Sequence, residues 1–292
     1  MKTRAIFGLL IVFLTACAQT PVTIATSMPS ATITSPTPTV TPIPSPTPSP
    51  TPSPTPACAE TKGKVVSDEY QGVNVEGEVK ILVYLPPCYG TGEKFYPTLY
   101  LLHGKPGNEN YWLNLGIDKA ADVEIKPTGS TGFIMVMPNI PEPLFCSTDG
   151  GEWSYEAEFT EGLLPYIESS YRTTRSPESR AIVGISRGAI WALEIGLVRP
   201  DLFGTVVAMS PALSVNYPRP EYNIFYLVKN SKSLPKFLLI TGKTDWARDE
   251  TVRLSKLLGE KSADFELKIV EGEHEPKTWV EGIPLMFQFL FH

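Results

Sequence analysis

The sequence is poor in histidine and cysteine, and it has no excess of basic residues. Its 292 residues include 3 histidines and 4 cysteines, and the formal net charge is -6. This charge balance offers no basic bias toward nucleic acid, and no pair of cysteines has the spacing of zinc ligands. We therefore expect neither a nucleic-acid partner nor a bound metal. Chemistry that requires an imidazole must use His103, His274 or His292.

The sequence also lacks a long apolar run, since the apolar run near its N-terminus is short. Residues 6–14 are apolar but too few to span a membrane comfortably, and they follow Lys2 and Arg4. The next residues, Leu14-Thr15-Ala16-Cys17, resemble a bacterial lipobox. We predict that residues 1–17 are a lipoprotein signal peptide, and that a lipid on Cys17 anchors the protein to a membrane. An ordinary secretory signal and an uncleaved anchor are the alternatives, and all three export the chain.

Residues 18–57 contain little besides threonine, serine and proline. A segment of this composition cannot bury a core, and its prolines favour extended polyproline II. We predict a disordered stalk that holds the rest of the chain away from a membrane. The remaining residues, 58–292, are enough for one large α/β domain, which we expect to be catalytic.

Two of the cysteines flank a predicted β-hairpin. Cys58 lies just before the strand-like run 64–66, and Cys88 lies just after the run 80–85. A hairpin would bring the two cysteines together, so in an oxidising compartment we predict a Cys58–Cys88 disulfide. Cys146 is then left over. It is either a buried free thiol or the true partner of one of the other two.

After the hairpin, apolar strand-like runs alternate with helical patterns. This alternation predicts an α/β fold with a mostly parallel central sheet, an N-terminal antiparallel hairpin and helices on both faces. Ligands of such sheets bind at the carboxyl ends of the strands. Four polar residues follow predicted strands and become the candidate site: His103, Ser186, Asp245 and His274.

The segment Gly184-Ile185-Ser186-Arg187-Gly188 has the pattern G-x-S-x-G between an apolar run and a helix-like stretch. A serine on a sharp strand-to-helix turn needs small neighbours at Gly184 and Gly188, because the backbone is crowded on both sides. The backbone N–H of Arg187 can then face an oxyanion. We predict that Ser186 is a nucleophile. The alternative is an ordinary serine in a glycine-rich turn.

A serine nucleophile needs a base, which is usually a histidine oriented by a carboxylate. His292 ends the chain, whereas His274 follows the last predicted strand, which gives the order serine, aspartate, histidine of the α/β-hydrolases. We predict His274 as the base and Asp245 as the acid, with Asp249 as the runner-up. A surface-loop histidine and a turn aspartate are the alternatives.

The turn His103-Gly104 precedes the second candidate oxyanion donor. Gly104 lets the backbone turn sharply, so the N–H of Lys105 would point at the site. A simple strand-ending turn is the alternative. The side chains of Lys105 and Arg187 could also favour acidic substrates.

From about Val65 to Phe291 the chain resembles the esterase family of α/β-hydrolases, which includes esterase D, feruloyl esterases, enterochelin esterases and the antigen 85 mycolyltransferases. The resemblance implies the α/β-hydrolase fold, a triad of Ser186, Asp245 and His274, and an oxyanion hole from the N–H groups of Lys105 and Arg187. It implies no cofactor. Glu275 and Ala189 depart mildly from the family pattern. The motifs that carry the resemblance are Leu101-Leu-His-Gly104, Leu164-Pro-Tyr-Ile-Glu168, Tyr171-Arg-Thr173, Gly184-Ile-Ser-Arg-Gly188, Pro200-Asp-Leu-Phe203, and Gly272-Glu-His274 with Trp279.

The sequence as a whole predicts an exported serine esterase that works through an acyl-enzyme. Its substrate would be a small-molecule or carbohydrate-linked ester. Aromatic residues in the segments 153–159 and 217–226 either line a pocket or belong to the core. An acyltransferase of the same fold is one alternative function, and a non-catalytic surface binding module is another.

Overall fold

The computed structural model of the chain describes residues 58–125, 132–146 and 149–292. The predicted signal peptide with Cys17 and the predicted stalk, 18–57, lie outside the described residues. The folded unit is built on one sheet of eight strands in the order β1-β2-β4-β3-β5-β6-β7-β8. Its strands are β1 (Lys64–Gln71), β2 (Glu78–Leu85), β3 (Thr98–Leu102), β4 (Ile134–Pro138), β5 (Arg180–Ile185), β6 (Thr205–Met209), β7 (Lys236–Gly242) and β8 (Phe265–Val270).

The pairing of the strands confirms the predicted sheet. β1 and β2 form an antiparallel hairpin, and β2 pairs antiparallel with β4. All other neighbouring pairs are parallel. The five central strands β3 to β7 are almost entirely buried, as expected of parallel strands covered on both faces. Their carboxyl ends therefore meet at one edge of the sheet.

Helices cover both faces of the sheet, and each face has its own apolar core. One core joins the sheet to α1, α2 and α9, and the other joins it to α3 through α8. Successive strand residues alternate between them: Leu99 and Leu101 belong to the first core, Tyr100 and Leu102 to the second. The helices are α1 (Tyr111–Asn114), α2 (Ile117–Glu124), α3 (Glu142–Phe145), α4 (Tyr155–Ala157), α5 (Leu164–Ser170), α6 (Arg187–Val198), α7 (Ile224–Asn230), α8 (Arg248–Glu260) and α9 (Pro276–Phe291).

Three helical stretches differ from a simple reading of the sequence. The helical pattern of residues 109–124 is broken between α1 and α2 at Gly116, which has a φ of 80°. A π-helix, Glu158–Leu163, lies between α4 and α5. The segment 212–235, which has no readable pattern, contains α7, whose first N–H groups donate to the side chain of Asn223. Within the described part of the chain, none of the helices combines the length and apolarity that crossing a membrane requires.

Cys58 and Cys88 form the predicted disulfide, with 30 residues of separation. A crosslink that closes a loop of this length stabilises the fold by about 3–4 kcal/mol in the chain-entropy account. Cys146 is a free thiol, which was one of the two alternatives, but it is exposed, whereas that alternative expected it to be buried. The reason is its position just after the short helix α3, where Lys105 Nζ donates to its Sγ over 2.8 Å.

Helix α6 carries a carboxyl group deep in the core. Glu194 is fully buried, and neither of its carboxylate oxygens has a hydrogen-bond partner in the described residues. Burial and the nearby charge of Glu156 raise the pKa of Glu194 to about 9, although Arg187 opposes the shift. The side chain is therefore a neutral acid at neutral pH.

We expect Glu194→Gln to stabilise the protein at pH 8 by at least about 1 kcal/mol, and hardly at all near pH 5. The folded state holds a proton on Glu194 that the unfolded chain releases above its ordinary carboxyl pKa, so this group costs more stability as the pH rises toward 9. Urea unfolding of both proteins across this range measures the difference. Glu281→Gln, on the exposed side of α9, is the matched control. An equal gain at both pH values would contradict the prediction.

Candidate active site

The turn between β5 and α6 has the strained geometry that its sequence predicts. Ser186 has a φ of 53° and a ψ of -113°, a left-handed backbone that side chains other than glycine rarely adopt. A Cβ on Gly184 would overlap the carbonyl of Gly188, and a Cβ on Gly188 would overlap the carbonyls of Leu102 and His103. Both glycines are thus required by close backbone approach. The turn lifts the Ser186 hydroxyl above the carboxyl ends of the central strands.

The structure brings Ser186, His274 and Asp245 together in one hydrogen-bonded chain. His274 Nε2 lies 2.8 Å from Ser186 Oγ, and His274 Nδ1 lies 2.9 Å from Asp245 Oδ1. His274 comes from the loop between β8 and α9, and Asp245 from the loop after β7. With its proton on Nδ1, the imidazole donates to the carboxylate and accepts from the serine hydroxyl. This arrangement can withdraw a proton from Ser186.

Asp245 is held as a charged, oriented carboxylate. Its Oδ1 accepts a second hydrogen bond from the N–H of Ala247, at 2.8 Å. Burial raises the pKa of the Asp245 carboxyl, but its interactions with His274, Ser210 and Ala247 outweigh burial, so the pKa lies below its ordinary value. Asp249, the runner-up, lies instead in the exposed first turn of α8.

His103 lies at the end of β3, but both of its ring nitrogens are engaged by backbone. Nδ1 lies 2.9 Å from the carbonyl of Gly104, and Nε2 accepts from the N–H of Ile140 at 3.0 Å. Burial lowers its pKa, which keeps the imidazole neutral. His103 therefore supports the turn at Gly104. His292, the third histidine, lies beside Glu124 at the end of α9.

The side chains of Lys105 and Arg187 converge on one short segment, Glu142–Cys146. Lys105 Nζ contacts Cys146 Sγ and lies 3.3 Å from Glu142 Oε2. Arg187 Nε donates to the carbonyl of Phe145 at 3.2 Å, and its guanidinium also donates to Asn216. Both cationic groups thus have partners within the protein, Arg187 in a part-buried position and Lys105 at the surface beside Glu142. That they attract acidic substrates stays a prediction.

Two tryptophans enclose the imidazole of His274. The ring of Trp246 lies 4.2 Å from it between centroids, at an angle of 32°, and the ring of Trp279 meets it edge-on at 5.4 Å. Trp279 Nε1 donates to Ser210 Oγ at 3.1 Å, next to the Asp245 carboxylate. Sequence reasoning missed Trp246, Ser210 and Asn216. Two of them had a signal, because Trp246 directly follows Asp245 and Ser210 is a polar residue directly after β6.

The two aromatic segments divide between core and surface. Tyr155 and Phe159 are fully buried in the core on the α6 side. Trp153, Tyr217 and Tyr226 are exposed. The core interpretation is therefore confirmed for Tyr155 and Phe159, and the pocket interpretation stays a prediction for the exposed residues.

The sequence and the fold can be compared with known proteins. A model of the Esterase family, described as "Putative esterase", matches residues 73–282. An endo-1,4-beta-xylanase/feruloyl esterase of Xylanibacter ruminicola is 30% identical over 225 residues, which are 72% of this chain. The same stretch is only 29% of that enzyme, so the chain spans less than a third of its length.

Solved structures agree on the fold. A ferulic acid esterase matches with a TM-score of 0.70 at 23% identity, over 79% of this chain and 98% of its own. The S-formylglutathione hydrolase of Staphylococcus aureus matches with a TM-score of 0.68 at 18% identity, over 79% and 99%. Together with the family match over most of the described residues, these likenesses lead to one conclusion: the chain belongs to the esterase family and has the α/β-hydrolase fold.

Proposed function

We propose that the protein is a serine carboxylic-ester hydrolase with Ser186 as nucleophile, His274 as base and Asp245 as acid. The observation that carries the proposal is the continuous chain of hydrogen bonds from Ser186 Oγ through both ring nitrogens of His274 to Asp245 Oδ1. A structural serine has no need of a partly buried imidazole and a buried carboxylate aligned behind it. Membership of the esterase family points to the same chemistry.

In the first half of the reaction, Ser186 Oγ attacks the ester carbonyl carbon while His274 Nε2 takes the hydroxyl proton. A tetrahedral intermediate forms, and the imidazolium then gives that proton to the leaving alcohol as the C–O bond breaks. In the second half, His274 withdraws a proton from water as the water oxygen attacks the acyl carbon. The bond from that carbon to Ser186 Oγ then breaks, the imidazolium returns its proton to Ser186 Oγ, and the acid is released. Asp245 remains ionised throughout and stabilises the imidazolium, in keeping with its lowered pKa.

The developing oxyanion would be bound by the backbone N–H groups of Arg187 and Lys105. Arg187 is the first residue of α6, whose N-terminus contributes a favourable potential for negative charge. Lys105 follows Gly104, which packs against the backbone of Ile185 and the side chain of Ser186. The anchoring of both side chains to Glu142–Cys146 supports this assignment, because it fixes the two backbone positions.

We further propose that the enzyme is exported and membrane-anchored through a lipid on Cys17, with residues 18–57 as the stalk and 58–292 as the catalytic domain. The Cys58–Cys88 disulfide supports an oxidising compartment. The relatives named for xylanase and feruloyl or ferulic acid esterase activity favour a carbohydrate-linked or aromatic ester as substrate.

The test is to incubate the protein with p-nitrophenyl acetate and methyl ferulate, and separately with a fluorophosphonate probe followed by peptide mass spectrometry. We expect turnover of an ester and a single modified residue, Ser186. A folded protein that is neither labelled nor active would eliminate the esterase and leave the surface binding module. Labelling at Ser186 without hydrolysis, but with acyl transfer to an added alcohol, would identify an acyltransferase.

A further inference from the structure

The catalytic imidazole has an aromatic face against it that the proposed mechanism does not use. The indole of Trp246 lies over the His274 ring at 4.2 Å between centroids. Asp245 Oδ1 accepts one hydrogen bond from His274 Nδ1 and another from the backbone N–H of Ala247, the residue after Trp246. The loop after β7 therefore places Trp246 next to the imidazole, and its indole lies against the ring.

The face of an indole carries negative electrostatic potential and attracts a cation within about 6 Å of its centroid. His274 becomes such a cation each time it takes the serine proton. Its two N–H groups then point in the ring plane, one at Asp245 and the other at Ser186 or the substrate. The ring faces are the remaining directions from which the charge can be stabilised, and Trp246 occupies one of them.

We propose that Trp246 is a positioning residue of the reaction, whose indole face stabilises the imidazolium form of His274 and holds its ring in line with Ser186. The proposal rests on the function proposed above. It gives Trp246 a role in catalysis separate from that of Asp245, which acts along the ring plane. Trp279 is not equivalent, because its ring meets the imidazole at 89° and its Nε1 donates to Ser210.

A second effect of Trp246 acts in the opposite direction. The indole also covers the imidazole from water, and burial disfavours a charged imidazole. The charged groups on the two loops that carry Trp246 and His274 are Lys243 and Asp245 after β7, and Glu271, Glu273 and Glu275 before α9. All of them are retained when Trp246 alone is replaced. If the indole face stabilises the imidazolium, replacing Trp246 lowers the pH at which half of His274 is protonated. If exclusion of water dominates, the replacement raises that pH.

The experiment is a pH titration of the His274 imidazole by NMR in the full chain. The chain has only 3 histidines, and the His274 signal is assigned by its loss in His274→Gln. In Trp246→Leu, which keeps an apolar cover but removes the π face, the pH at which half of His274 is protonated should fall by roughly 0.5–1.5 pH units. Trp246→Phe, which keeps a weaker aromatic face, should give a smaller fall.

Activity supplies the second readout. In Trp246→Leu we expect kcat to fall by about 3- to 30-fold with KM nearly unchanged. The acid limb of the pH profile of kcat/KM should move by the same amount as the pH of half-protonation of His274 measured by NMR. Trp246 is about half exposed, at 49%, so both replacements should fold. Phe95→Leu is the matched control, because Phe95 is an exposed aromatic residue just before β3, at the opposite end of that strand from the site.

The proposal would be overturned if the pH at which half of His274 is protonated were unchanged or higher in Trp246→Leu. The NMR titration needs no substrate, so it succeeds or fails independently of hydrolysis. If that pH falls as expected but the wild type hydrolyses no ester, the proposed function is wrong and the contact between Trp246 and the imidazolium stands.

Discussion

Replacing Ser186 with alanine is expected to lower kcat for ester hydrolysis by about 10⁴- to 10⁶-fold. The substitution removes the atom that attacks the carbonyl, and His274 Nε2 loses the hydroxyl that lies 2.8 Å away. The fold should be unaffected, because the backbone strain at position 186 is held by the close approach of Gly184 and Gly188. Initial rates with p-nitrophenyl acetate, together with a thermal unfolding curve, measure both effects.

Two further variants make this prediction specific. Ser233→Ala, in the exposed turn before β7, should retain the wild-type rate. The double variant Ser186→Ala/His274→Ala should be no slower than Ser186→Ala alone, because the two groups act as a unit. Retention of more than about one per cent of wild-type kcat in Ser186→Ala would show that another group attacks the ester.

Replacing Asp245 with asparagine is expected to lower kcat by about 10³- to 10⁴-fold. Asp245 Oδ1 accepts from both His274 Nδ1 and Ala247 N–H, so an asparagine oxygen in that place can keep both hydrogen bonds but carries no charge. The imidazolium that forms when His274 takes the proton of Ser186 then loses the carboxylate that stabilises it.

Asp249→Asn is the control for this variant, because Asp249 is the other aspartate close to the site in sequence. It lies in the exposed first turn of α8 and should leave kcat within about twofold of the wild type. If Asp249→Asn lowered kcat more than Asp245→Asn, the acid would be Asp249 and not Asp245. Fluorophosphonate labelling should also be slow in Asp245→Asn, since it too depends on proton transfer from Ser186.

The fold could be predicted from the sequence because its signals are local. Buried apolar runs alternate with helical patterns, and this alone implies a parallel sheet with helices on both faces. The candidate triad could be assembled for a different reason: with only 3 histidines, one at the chain terminus and one before the serine, His274 was the natural base. The order serine, aspartate, histidine then favours Asp245, which lies between Ser186 and His274, as the acid.

The features that escaped prediction depend on contacts between distant segments. Arg187 reaches Phe145 across 42 residues and Asn216 across 29, and nothing in the local sequence of either loop indicates such a partner. The break of the helical pattern at Gly116 was also not readable from the sequence, since one glycine within such a pattern does not by itself end a helix. The exposure of Cys146 also depends on the short helix α3, which has no periodic pattern.

The convergence of Lys105 and Arg187 on the segment Glu142–Cys146 has a consequence for attempts to redesign the enzyme. A change in this segment made to admit a different substrate also loosens the anchors of both proposed oxyanion donors. Selectivity and turnover are therefore coupled there, and variants of these residues will tend to trade one for the other. Residues that contact neither of these two side chains are the better places to alter substrate preference independently of rate.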